Sequence, residues 1–324
     1  MPRPKLQHFL PESFLRGFVD RGILERDGKE RIWVYEKGKP IRLGAPKSEA
    51  CRRDYYSLIA GGQKDDRIEH ALACFESDAM PLIRHVATDR VSNISSDYKR
   101  KLAYFAGLMY ARVPATREFL ARLAAEYAKK CLDDAENDSG RVAVLLRQHS
   151  LGKEVPRERR VEIVSEVVQD LAGWNAETEL TRMLSLSTKV GEALTGYLWE
   201  VHHADEENAF ITSDTPIATM VPDGYGDCKV GPGFMVEGTF VFWPIASTCC
   251  LVMHKHSGFK KQPLRNRDVH FVNRLLMSTT QRFIYYSDKS EKLRASFEKY
   301  GGRVKYFDQA FIPEWRDRPE LLFQ

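Results

Sequence analysis

The hydrophobic pattern changes period near Tyr197, and that change constrains the fold more than any other feature of the chain. Before it, apolar residues recur at helical spacing. Ile68, Leu72, Phe75, Ala79, Leu82 and Val86 make one face, and Leu102, Phe105, Met109 and Val113 make a second. After it, Tyr197, Trp199 and Val201 alternate with polar neighbours. The runs Phe240-Val241-Phe242-Trp243-Pro244 and Cys250-Leu251-Val252-Met253 are aromatic and β-branched, as strands are. Helices first and strands after predict an α+β fold, with a helical N-terminal and central region and a mostly antiparallel sheet in the C-terminal part. The division falls at 1–195, a hairpin plus helices, and 196–324, an α+β region, either as separate units or as one continuous domain.

The opening block, Lys5-Leu6-Gln7-His8-Phe9-Leu10-Pro11-Glu12-Ser13-Phe14-Leu15-Arg16-Gly17-Phe18, sets a polar pair before a helix begun by proline. Phe14, Leu15 and Phe18 repeat at helical spacing, so this N-terminus carries anchors for a core instead of fraying. Next, Asp27-Gly28-Lys29 turns the chain into the strand Arg31-Ile32-Trp33-Val34-Tyr35, and Ile41-Arg42-Leu43 can pair back on it. Helices are expected across 116–133, 140–149, 157–172 and 176–194, and again at 268–280 and 290–299, on either side of a strand at 282–287.

Composition sets the class. A chain of 324 residues with 43% hydrophobic and 29% charged residues can bury an ordinary core. No apolar run approaches the length of a membrane span, and the N-terminus lacks the apolar stretch of a signal peptide, so a cytoplasmic protein is expected, with no membrane partner. The six cysteines include no Cys-x-x-Cys, which argues against a zinc ribbon or a disulfide framework. Walker A, Gly-x-Gly-x-x-Gly, Gly-x-Ser-x-Gly and His-Glu-x-x-His signatures are all missing.

The opening block resembles the start of an uncharacterised bacterial family, domain of unknown function 4238. The resemblance continues in order through Trp33-Val34-Tyr35, Pro46-Lys47, Asp54-Tyr55-Tyr56-Ser57, Ile68-Glu69, Phe75-Glu76-Ser77, the helix from Phe105 to Arg112 with Pro114, Phe210 to Pro216, and Phe242-Trp243-Pro244-Ile245. Two positions depart from it: Thr215 stands where asparagine is frequent, and Met109 where glutamine is. The resemblance implies a fold and transfers no reaction.

Several residues can carry chemistry. Arg112 lies on the apolar face of its own helix, seven residues after Phe105, so its guanidinium needs a partner. Glu69 and Glu76, also seven apart on the preceding helix, are the nearest carboxylates by pattern. An ion pair fixing helix register is the bland reading. An anion site at Arg112, with a spare carboxylate as base or metal ligand, is the sharp one. His8 beside Gln7 offers a proton shuttle, or a hydrogen-bonded structural residue. Ser213 and Asp214 before Thr215-Pro216 fit turn chemistry, or a carboxylate projected from a strand end into a cleft. Lys255, Lys260, Lys261, Arg265 and Arg267, with Phe259 among them and no acid between 255 and 267, fit a solvated loop or a phosphate-contacting one. Paired histidines at His202-His203 and at His254 and His256 lack a recognised ligand spacing.

Together these predict a nuclease-like phosphodiesterase of the bacterial cytoplasm, a defence or toxin effector. Its catalytic candidates are His8, Asp214, Arg112, Glu69 and Glu76. Its substrate-binding candidates are Gln7, Ser213, Lys255, Lys260, Lys261, Arg265 and Arg267, nucleic acid is the expected partner, and a divalent metal ion stays open as cofactor. The competing expectation is a non-catalytic binding or scaffold module in which the same polar motifs hold the N-terminal segment on the helical core.

Overall fold

A computed structural model describes residues 6–60, 63–65, 67–91, 93–136, 176–205, 207–222, 228–231, 233–255 and 266–303, together with helical residues at 159, 162 and 165. The expected helices at 140–149 and 157–172, apart from those single positions, lie outside the described residues. So does the basic loop with Lys260, Lys261 and Arg265.

The fold is α+β. The N-terminal third holds β1 (Leu6–His8), α1 (Glu12–Leu15), α2 (Arg21–Asp27), β2 (Ile32–Glu36), β3 (Arg42–Gly44), β4 (Cys51–Arg53), β5 (Leu58–Ala60) and β6 (Gln63–Asp65). Four long helices follow among the described residues: α3 (Arg67–Thr88), α4 (Ser96–Ala111), α5 (Pro114–Glu136) and α6 (Ala176–Thr195). The remainder is β7 (Leu198–His203), β8 (Thr212–Ser213), β9 (Ala218–Pro222), β10 (Cys228–Val230), β11 (Phe240–Ala246), β12 (Cys249–His254), α7 (Asn266–Thr279), β13 (Phe283–Tyr286) and α8 (Glu291–Tyr300). All strand pairs among the described residues are antiparallel. One sheet runs β10-β9-β11-β12-β7 and another β3-β2-β13-β8, while β1-β4 and β5-β6 form separate ribbons.

Local chemistry explains the boundaries. Asp20 caps α2 by accepting the Ile23 amide at 2.9 Å, and Gly28 ends it with φ of 63°, a left-handed turn that costs glycine little. Ser95 and Ser290 cap α4 and α8 through the Tyr98 and Leu293 amides. Pro244 sits inside β11 where the pairing with β12 shifts register, so its missing N–H disrupts no regular rung. Pro11 stands one position earlier than its helix-starting pattern suggests, as the N-cap of α1.

The opening block is buried against β11. Phe14, Leu15 and Phe18 are fully buried, the Phe14 and Trp243 rings stack with centroids 6.5 Å apart, and the Ser247 amide donates to the Gly17 carbonyl at 2.9 Å. Across the helical layer, α4 and α6 approach backbone to backbone. A Cβ on Gly191 would lie 2.9 Å from the Tyr104 Cα, and one on Gly107 would overlap the Ser187 carbonyl oxygen. The N-terminal hairpin of β2 and β3 extends the sheet of β13 and β8, so residues 32–44 and 283–286 share one surface. That surface packs a second core of Tyr35, Phe210, Ile211, Val272, Leu276, Ile284 and Phe297.

Candidate functional site

The sequence-predicted polar residues separate into a closed network under the N-terminal strand and an open cleft beside it.

The network centres on Arg112, the C-cap of α4, only 2% exposed. Its Nε donates to the Tyr56 hydroxyl at 3.0 Å, one terminal nitrogen to Glu76 at 2.7 Å, and the other to the His8 carbonyl at 2.6 Å. Tyr56 Oη in turn donates to that same carbonyl at 3.3 Å. Burial opposes the guanidinium charge, but Tyr56 and Glu76 outweigh it and hold the pKa above its ordinary value. Gln7 completes the network: its oxygen accepts the Tyr56 amide at 2.6 Å, and its nitrogen donates to Ser57 and Glu69, each at 3.2 Å. Strand alternation explains the contrast between Gln7, which is 1% exposed, and its more open neighbours Leu6 and His8. A second arginine, Arg117, lies 3.9 Å from the Tyr55 ring centre, donates to the Tyr55 carbonyl at 2.8 Å and pairs with Glu179. Gln7, Arg112, Glu69, Glu76 and the His8 backbone thus meet. The His8 ring nitrogen Nε2 is buried without a hydrogen-bond partner among the described residues.

Asp214 lies elsewhere. It follows β8 and is 7% exposed. Oδ1 accepts the Gln281 amide at 3.0 Å, and Oδ2 accepts the Arg282 and Phe283 amides at 2.7 and 3.0 Å. Burial pushes its pKa up to about 6 even though those amides favour the anion. Its neighbour Ser213 is fully enclosed: its hydroxyl accepts the Thr215 amide at 3.1 Å and lies 2.9 Å from the Thr215 carbonyl.

Asp214 opens on a cleft of about 540 Å³ whose lining includes Phe9, Arg42, Glu49, Cys51, Arg52, Arg282, Phe283 and Tyr285. Arg42 and the buried Glu49 form a bidentate pair at 2.6 and 2.8 Å, which raises the Arg42 pKa. Arg282 reaches Glu36 at 2.9 Å, and Arg52 is exposed, with Glu118 3.8 Å away. Burial lifts the Cys51 thiol pKa, so it stays protonated near neutral pH. Ala50, between Glu49 and Cys51, adopts φ of +50°, a left-handed conformation that alanine rarely takes.

The family model described as "Protein of unknown function (DUF4238)" matches residues 6–290. The chain belongs to that family. No curated protein and no solved structure matches it significantly. The matched DUF4238 region holds both the Arg112 network and the whole Asp214 cleft.

Of the remaining sequence candidates, Lys255 is exposed with its ammonium 5.2 Å from the Tyr197 ring centre, and Arg267 is in α7 with its side chain outside the description. Glu200 bridges two histidines from adjacent strands, His202 at 2.9 Å and His254 at 3.5 Å. Among the described residues no three His, Cys, Asp or Glu side chains are grouped so as to hold a metal ion, and no helix is long and apolar enough to cross a membrane. Sequence reasoning missed Arg42, Glu49, Arg52, Arg282 and Tyr285. The one available signal was their position beside quoted motifs, Arg42 in the hairpin and Glu49 and Arg52 between Pro46-Lys47 and Asp54-Tyr55.

Proposed function

We propose that this chain is a nuclease-like phosphodiesterase whose reaction centre is the Asp214 cleft. The observation that supports it is a buried carboxyl with a pKa near 6, facing a cleft lined by Arg42, Arg52 and Arg282. Such a group is an anion at neutral pH yet basic enough to take a proton. Oδ1 accepts a single amide, which leaves it a lone pair for a water molecule. In the proposed reaction Asp214 takes one proton of that water, and the water oxygen bonds to phosphorus as the P–O bond to the leaving sugar oxygen breaks. That oxygen takes a proton from solvent while Asp214 returns its own to solvent, and the arginines offset charge developing on the phosphate oxygens. The bacterial cytoplasm, and a defence or toxin role, belong to the same proposal.

His8, Arg112, Glu69 and Glu76 act in this scheme by positioning. Their network ties β1, which leads directly into Phe9 on one wall of the cleft, to the helical layer. The closure of that network around Arg112 also favours a second reading, a non-catalytic binding module, because the guanidinium completes its hydrogen bonds to Tyr56, Glu76 and the His8 carbonyl without a substrate.

Purified protein incubated with RNA and with DNA, with and without Mg²⁺, Mn²⁺ or Zn²⁺, tests the choice. Cleavage that Asp214→Asn lowers by about 10²–10⁴-fold in a folded protein is the expected result. No cleavage under any condition removes the enzyme and leaves the binding module.

A further inference from the structure

Tyr285 is fully buried on β13 at the cleft, and its hydroxyl has no hydrogen-bond partner among the described residues. The Ala50 amide approaches that oxygen without meeting hydrogen-bond geometry. Burying a hydroxyl unpaired is unfavourable, and phenylalanine would fill the same space without that penalty. Burial also lifts the phenol pKa well above its ordinary value, so the group remains a donor at every physiological pH.

A second observation points the same way. Ala50 is held in its left-handed conformation because its carbonyl accepts the Phe9 and Leu10 amides at 2.9 and 3.4 Å. Local strain of this kind persists where a site needs a particular backbone path, and here the path sets Glu49 and Cys51 into the cleft wall.

Charge selects the ligand class. Three arginines against Glu49 and Asp214 leave the lining with one formal positive charge. Arg42 is engaged at both nitrogens and Arg282 by Glu36, whereas Arg52 lies 3.8 Å from the exposed Glu118, its ion-pair partner among the described residues. Arg52 is therefore the arginine an incoming anion recruits at least cost.

We propose that the cleft binds the phosphate of a ligand about one nucleotide in size, a nucleoside monophosphate or the end of a single strand, with Tyr285 Oη donating to a phosphate oxygen and Arg52 closing over it from the rim. The choice of phosphate over another anion rests on the phosphodiesterase reading. The volume of about 540 Å³ lies within the range of about 300–1,000 Å³ typical of small-ligand sites. Phe9 and Phe283 supply the apolar wall against which a base can lie.

Calorimetric titration of the full chain with inorganic phosphate, adenosine monophosphate, a short single-stranded oligonucleotide and a blunt duplex tests this, with melting temperature read in parallel. The nucleotide and the single strand should bind and raise the melting temperature, phosphate should bind more weakly, and the duplex should not bind. Tyr285→Phe should weaken nucleotide binding about 10–100-fold while the free protein melts at the same temperature or higher. Arg52→Ala should weaken binding without altering the free protein. The proposal is overturned if no phosphate compound binds, if the duplex binds as well as the single strand, or if Tyr285→Phe keeps full affinity or melts lower. Nucleotide binding with no cleavage of RNA or DNA would instead refute the phosphodiesterase and leave the binding site standing.

Discussion

The Arg112 guanidinium holds the backbone carbonyl of His8 at 2.6 Å across 104 residues of sequence. That contact joins β1 to the end of α4 and makes the N-terminal segment part of the core. A carbonyl so placed would otherwise be buried without a strong donor, so the arginine serves two needs at once.

Arg112→Ala should therefore cost roughly 3–5 kcal/mol, because Glu76 and the His8 carbonyl both lose their charged donor. A double-mutant cycle of Arg112→Met with Glu76→Gln, followed by urea unfolding, should give a coupling of about 0.5–3 kcal/mol. Zero coupling would show that the ion pair adds nothing beyond the carbonyl contact.

Removing the first 18 residues should lower the melting temperature sharply. Phe14, Leu15 and Phe18 are each fully buried, and each is worth about 1.5–3 kcal/mol of apolar burial. An unchanged melting curve would reduce the segment to an appendage.

The helical layer depends on close backbone approach at Gly107. Gly107→Ala should destabilise by about 1–3 kcal/mol through overpacking against Ser187, although alanine is the better helix former. Gly196→Ala, whose Cβ would lie 3.5 Å from the Ala193 carbonyl, serves as the control and should be much milder. Equal effects would contradict the close helix contact.

Asp214 makes stability depend on pH in an uncommon direction. Its folded pKa, about 6, lies above the reference value of 3.8, so the folded state binds the proton more tightly. Its contribution is fully present below pH 3.8 and is lost as pH rises through about 6. The loss is on the order of 3 kcal/mol. Asp214→Asn should flatten the stability profile across that window, measured by urea unfolding at closely spaced pH values. If cleavage is observed, its rate should climb through the same window and plateau above it. A stability profile that Asp214→Asn leaves unchanged would mean that the carboxyl is not desolvated.

Much of this architecture is local in origin and so was legible in residue order. Apolar spacing located α3, α4, α6 and α8, Asp27-Gly28-Lys29 marked the turn into β2, and aromatic, β-branched runs marked β2, β11 and β12, whereas the helix α2 before that turn was not foreseen. Burial of Phe14 and Phe18, and an Arg112 that must find a carboxylate, followed from polarity alone: an apolar face or a buried charge needs a partner wherever it lies. Which glutamate, and that the His8 carbonyl rather than its ring is held, depended on the crossing of β1 over α3 and α4. Of the cleft, only Asp214 at its strand end was legible. Arg42 comes from β3, Glu49 from the connection after it and Arg52 from β4, while Asp214, Arg282 and Tyr285 come from β8, β13 and their flanks more than 150 residues later. The pairing of β3 with β2, of β2 with β13 and of β13 with β8 brings Arg42, Tyr285 and Asp214 to one surface. Spacing along a chain encodes the faces of single elements, whereas a site shared by four strands is decided by how sheets close.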